Sequence, residues 1–151
     1  LRIFVLSGYR DGRIQKMAID GVSKQKRKVN ARPATELLSN PSGYSPHTTG
    51  GAIDCEIWDE KNKKLLLTKL DDREKIDLFW LENKKILSQK EEEVKSNRRL
   101  LHNLLVSEEI LGEGHFIHHP SEYWHYGKYE RLASFFSGGT HPAYYDVLNL
   151  D

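Results

Sequence analysis

The chain has 151 residues, with Lys+Arg 23 against Asp+Glu 22 and a formal net charge of +1; that is the size of one domain with its own core, and the balanced charge supplies no field to draw nucleic acid or an anionic membrane. Cys55 is the single cysteine, which excludes an internal disulfide and a multi-cysteine zinc finger and leaves any metal to His, Asp and Glu. No apolar run approaches the roughly 20 residues of a membrane span.

LRIFVL, residues 1–6, is rich in Ile, Val, Leu and Phe and runs into Ser7-Gly8, the pattern of a buried strand ending in a turn, with Arg10 just beyond it. Because Leu1 already lies inside that strand, residues upstream of it are expected to have been lost, and the absence of a signal-peptide core says little. Residues 11–20 suit a short helix with Ile14, Met17 and Ala18 on one side. Residues 21–33 collect Lys24, Lys26, Arg27 and Lys28 without interleaved aromatics, which predicts a solvated loop and not a nucleic-acid patch. NPSGYSP, residues 40–46, is turn chemistry at nearly every position. AIDCEIWD then alternates, with Ile53, Cys55 and Ile57 on a core face and Asp54, Glu56 and Trp58 opposite. Ser88 to Glu91 matches a capping box, and Val94, Leu101, Leu104 and Leu105 form the stripe of a helix over 90–111 that Gly112 ends. FIHHPSEYWHYGKY reads as strand, proline-broken loop and strand, the last near 123–129, and the C-terminal SGGTHPAYYDVL as turn and tail. Together these elements predict an α+β fold, a small antiparallel sheet flanked by helices, in a single domain.

The chemistry concentrates in SPHTTGGAID, residues 45–54. A divalent ion needs several lone pairs converging on one point, and His47 and Asp54 are seven residues apart. Gly50-Gly51 between them lets the chain turn sharply, so that a histidine before the bend and an aspartate on the strand after it can face one point. A catalytic zinc site takes three protein ligands and a base beside them, and SEYWHY supplies Glu122 and His125. Residues three apart on a straight strand face opposite ways, so this pair requires a bend near Pro120-Ser121 that leaves Glu122 on a loop edge. Tyr123 and Trp124 would then pack around the site and limit water. A rival pairing of His115 with His118 faces opposite ways on a strand; these two and His119 are expected either to support the site from behind the ligands or to be structural. His102 on the long helix and His141 in the tail have no evident partner, and Cys55 reads as a small buried hydrophobe.

Ser45, His47, Gly50, Ala52 and Asp54, in the pattern S-x-H-x-x-G-x-A-x-D, followed by Glu122, Trp124 and His125 as E-x-W-H, resemble the zinc D-alanyl-D-alanine peptidases. Within them the chain most resembles the dipeptidases linked to vancomycin resistance, through SNRRLLHNLL as well; Arg10 is followed by Asp11 where those dipeptidases usually have proline, and the Ser7-Gly8-Tyr9-Arg10 form also occurs in the related DD-carboxypeptidases. The resemblance implies one zinc ion per chain on His47, Asp54 and His125, Glu122 as general base, Arg10 as the oxyanion's partner and Tyr123 at the substrate; Ser45 either hydrogen-bonds substrate or caps the turn. It implies release of D-alanine from D-Ala-D-Ala, with a DD-carboxypeptidase or endopeptidase on longer wall peptides, or a non-catalytic zinc-binding module, as alternatives. It also implies a bacterial setting, first the cytoplasm, with a periplasmic or secreted location left open by the lost upstream residues.

Overall fold

The computed structural model describes residues 1–11, 13, 14, 16, 17, 46–70, 78–107, 115–119 and 122–128. Five strands, β1 (Arg2–Ser7), β2 (Ala52–Asp59), β3 (Lys64–Leu65), β4 (Ile117–His118) and β5 (His125–Gly127), accompany two helices, α1 (Leu78–Asn83) and α2 (Gln89–Val106), and a 3-10 turn over Pro46–Thr49. The strands lie in the order β1-β2-β5-β4, with β3 on the far end of β2, and every pairing is antiparallel. This is the α+β arrangement expected. The basic stretch over 21–33, the turn residues 40–45, the bend at Pro120-Ser121, Gly112, His141 and the C-terminal tail lie outside the described residues. Of residues 11–20, Arg13, Ile14, Lys16 and Met17 are helical, with Ile14 and Met17 exposed.

β2 organises the sheet because it pairs with three strands, β1 on one side and β5 and β3 on the other. Its Ile53, Cys55 and Ile57 meet Leu101 and Leu105 of α2 and Tyr126 of β5 in the main core cluster, as the alternation predicts. A second cluster joins Leu70, Leu81 and Val94. Removing the methyl groups of Leu101, which is fully buried, would leave a cavity between helix and sheet that neither can close. Leu101→Ala is expected to lower stability by about 2–5 kcal/mol, roughly 5–15 °C in Tm for a chain of this size. A calorimetric shift under about 2 °C would contradict this packing.

Three sequence expectations change. β1 is not buried: Phe4, Val5 and Leu6 are about half exposed, since β1 is an edge strand that pairs with β2 alone among the described residues. Its composition is that of a strand, and composition does not distinguish an edge from a centre. α2 starts as predicted, with Ser88 and Glu91 forming the reciprocal capping box, and an ion pair to Lys84 at 2.7 Å and the Ser88 hydrogen bonds hold the Glu91 carboxyl down at about 2. It ends at Val106, earlier than Gly112 would place it, where Ser107 turns extended and the Phe116 amide takes the Leu105 carbonyl at 2.8 Å. Glu56, expected on the open face, is buried; it accepts hydrogen bonds from the Thr68 and Tyr123 hydroxyls.

Candidate metal centre

Local sequence sets the first donor. Pro46–Thr49 winds into a buried 3-10 turn, fastened by the Thr49 hydroxyl to the Pro46 carbonyl at 2.6 Å and by the Gly51 amide to Thr49 Oγ1 at 3.0 Å. Gly50 takes φ +75°, a left-handed conformation that side chains disfavour, and it turns the chain back into β2. Arg10 N–H donates to the His47 carbonyl at 2.8 Å, so the segment after β1 is fastened to the same turn. The His47 ring faces the Gly8 carbonyl through Nδ1 at 2.9 Å. A carbonyl oxygen only accepts, so Nδ1 carries a proton and Nε2 is the nitrogen turned inward, the one whose lone pair a metal would take.

Sheet pairing sets the other two. Asp54 on β2 stands directly opposite His125 on β5, and opposed residues of antiparallel strands put their side chains on one face. The result is a triangle. His47 Nε2, His125 Nδ1 and Asp54 Oδ1 lie 3.2 Å from one another along each edge, and the three form the metal-competent cluster among the described residues. A tetrahedral zinc ion with ligand bonds of about 2.0–2.1 Å places neighbouring donor atoms about 3.3 Å apart. The donor set therefore fits zinc in element and in spacing: two imidazole nitrogens and one carboxylate oxygen, with no thiolate. Burial alone would raise the Asp54 carboxyl, but its hydrogen bonds and charge interactions with His125 and His47 outweigh this and hold it well below the ordinary range.

Two further predicted residues border the triangle. Glu122 begins the turn that leads into β5, and its Oε2 lies 3.6 Å from His125 Nδ1. Burial pushes its carboxyl above the ordinary value, against the pull of nearby His125. Arg10 Nη2 is 3.1 Å from Asp54 Oδ2 and 2.8 Å from Ser7 Oγ. In this structure its guanidinium is thus engaged with the ligand carboxylate, a contact that sequence reading did not foresee. Ser45 lies outside the described residues.

Tyr123 is placed differently from the expectation that it binds substrate. It is 2 % exposed, its hydroxyl donates to Glu56 Oε1 at 3.0 Å, and the Arg98 guanidinium sits 4.0 Å over its ring. The Glu122–Trp124 turn reverses the alternation a straight strand would have, so the side chain after Glu122 enters the core. Cys55 is buried as expected, and desolvation, with the charges of Asp54 and Glu56, pushes its thiol up to about 12. His102, expected to lack a partner, has one: its Nδ1 lies 2.8 Å from His118 Nδ1, and His118 stacks on Tyr126 at 4.4 Å. Neither the Gly8 carbonyl nor the His102–His118 pair leaves a sequence signal, because main-chain oxygens look alike and the pair spans two elements.

Burial pushes His118 down to about 3 and His102 below its ordinary value. A histidine whose folded-state pKa lies below its unfolded one binds fewer protons when folded; its stabilisation is complete above about 6.5 and is lost as pH falls from there toward 3. The metal-free protein should therefore lose Tm between pH 6.5 and 4, and His118→Gln, which does not titrate, should flatten that slope. Parallel slopes for the two proteins would contradict the assignment.

No helix among the described residues is long and apolar enough to cross a membrane. No curated protein matches the chain. The family model for VanY, D-alanyl-D-alanine carboxypeptidase, matches residues 1–104, a stretch that holds Arg10, Ser45, His47 and Asp54 and stops before Glu122 and His125. With two donors of the triangle and Arg10 inside a match over more than two thirds of its length, the chain belongs to the D-alanyl-D-alanine carboxypeptidase family.

Proposed function

We propose that the protein is a zinc-dependent peptidase that hydrolyses the bond between two D-alanine residues, with His47, Asp54 and His125 as the metal ligands. The observation that carries this reading is the 3.2 Å triangle of ligand atoms with the Glu122 carboxylate beside it, since a metal used only for structure needs no adjacent base. When bound, zinc supplies a Lewis acid that makes water nucleophilic near neutral pH. Glu122 accepts the proton of the attacking water and passes it to the leaving amine, a duty suited to a carboxyl whose pKa burial has raised. Arg10 holds Asp54 in place through Nη2 and brings positive charge next to the carbonyl oxygen as it becomes anionic.

Two substrates are in view. The description of the matched family, carboxypeptidase, favours a longer wall peptide ending in D-Ala-D-Ala. The Asn97-Arg98-Arg99-Leu100-Leu101 stretch of α2, with its dipeptidase-like pattern, favours the free dipeptide as the second reading. Purified protein loaded with zinc, assayed on a wall pentapeptide, on free D-Ala-D-Ala and on an L,L-dipeptide, separates them. D-alanine from the pentapeptide supports the first reading and from the dipeptide alone the second. Turnover of neither D,D-substrate with zinc bound would overturn both and leave a zinc-binding module.

A further inference from the structure

The turn that carries Glu122 is held by more than its own backbone. The Glu122 carbonyl accepts the His125 amide at 3.1 Å, the Glu122 amide reaches the His119 carbonyl at 3.3 Å, and the His119 amide reaches the His125 carbonyl at 2.9 Å. The Glu122 carbonyl also lies 3.2 Å from His118 Nε2 on β4. Since that oxygen can only accept, Nε2 must hold a proton. A neutral His118 then has only a lone pair at Nδ1, and the facing His102 Nδ1, 2.8 Å away, must be the donor. A single polarity runs through the chain of groups: His102 Nδ1–H donates to His118, and His118 Nε2–H donates to the carbonyl of Glu122. The relay starts on α2, passes through a ring stacked on Tyr126 in the core, and ends on the residue that carries the carboxylate.

We propose that His118, oriented by His102, is a positioning residue for Glu122: its Nε2–H fixes the turn so that the carboxylate stays beside the ligand triangle. The inference rests on the reading of Glu122 as general base. His118 touches no reacting atom. Outer hydrogen-bond partners of this kind typically change activity by 10–100-fold when removed, because a base displaced by a fraction of an ångström transfers its proton poorly.

The test has a spectroscopic and a kinetic arm. In the metal-free protein, nitrogen-15 NMR of the imidazoles near neutral pH should show His118 as the Nε2–H tautomer and His102 as the Nδ1–H tautomer; the reverse assignment would overturn the proposal. In the zinc-loaded enzyme, assayed on whichever D-Ala-D-Ala substrate the wild type turns over, His118→Leu should lower kcat by about 10–100-fold with KM within about twofold and zinc content unchanged. His118→Gln, whose amide nitrogen replaces Nε2, should recover kcat to within about threefold of wild type, whereas His118→Asn, whose amide nitrogen replaces Nδ1, should not. If His118→Leu fails to fold, the Gln and Asn pair decides: equal activities would sink the idea. Glu122→Gln run in parallel separates the two levels. If it leaves kcat intact, the general-base reading has failed; if it abolishes turnover while His118→Leu and His118→Asn do not lower it, only the positioning role has failed.

Discussion

Asp54→Ala is expected to leave the protein folded but without its metal, with zinc content falling from about one per chain to near zero and D-Ala-D-Ala hydrolysis falling by at least about a thousandfold. Asp54 supplies one corner of the triangle through Oδ1 and the partner of Arg10 through Oδ2. Its loss leaves two imidazoles and an adjacent guanidinium, a set with one donor fewer and one uncompensated positive charge more. Chelation of the wild type should reproduce the same inactivity, and zinc should restore the wild type but not the variant. A variant that keeps a full equivalent of zinc and more than a tenth of the activity would remove Asp54 from the ligand set.

Glu122→Gln should give the opposite signature, a full metal complement with kcat reduced by about 10²–10⁴-fold, the range for loss of a positioned general base. Glutamine has the size of glutamate and keeps an oxygen near His125, so ligand geometry should survive while proton acceptance is lost. Zinc content and kcat measured on one preparation check it. Loss of metal together with activity would make Glu122 a ligand or a support of His125, and a fall in kcat of less than tenfold would deny it the role of base.

How much of this was legible depended on sequence distance. His47 and Asp54 lie on either side of a double glycine, so local chain geometry alone brings them together, and the strand alternation through Ile53, Cys55 and Ile57 gave the face on which Asp54 stands. The long helix showed its start in Ser88 and Glu91 because a capping box is local chemistry. Its end depended on the Phe116 amide reaching Leu105, a contact between elements that no local pattern encodes. The engagement of Arg10 with Asp54 spans 44 residues and was likewise invisible. Tyr123, expected to pack around the site with Trp124, enters the core where residues 123 and 124 form a turn, and β1 is exposed because an apolar composition suits an edge strand as well as a central one. Glu56 joined the interior for a related reason: Thr68 and Tyr123 supply the donors that a buried carboxylate requires.

The facing of Asp54 and His125 across two neighbouring strands has a consequence for how the chain folds. Sliding β5 by one residue along β2 would turn His125 toward the helix and Tyr126 toward the ligands, because side chains alternate with a period of two. Misaligned pairings of β5 on β2 would thus be blind to zinc, while the correctly aligned one would gain stability as RT ln(1 + [Zn]/Kd). The ion would act as a proofreader of strand alignment before it served any reaction.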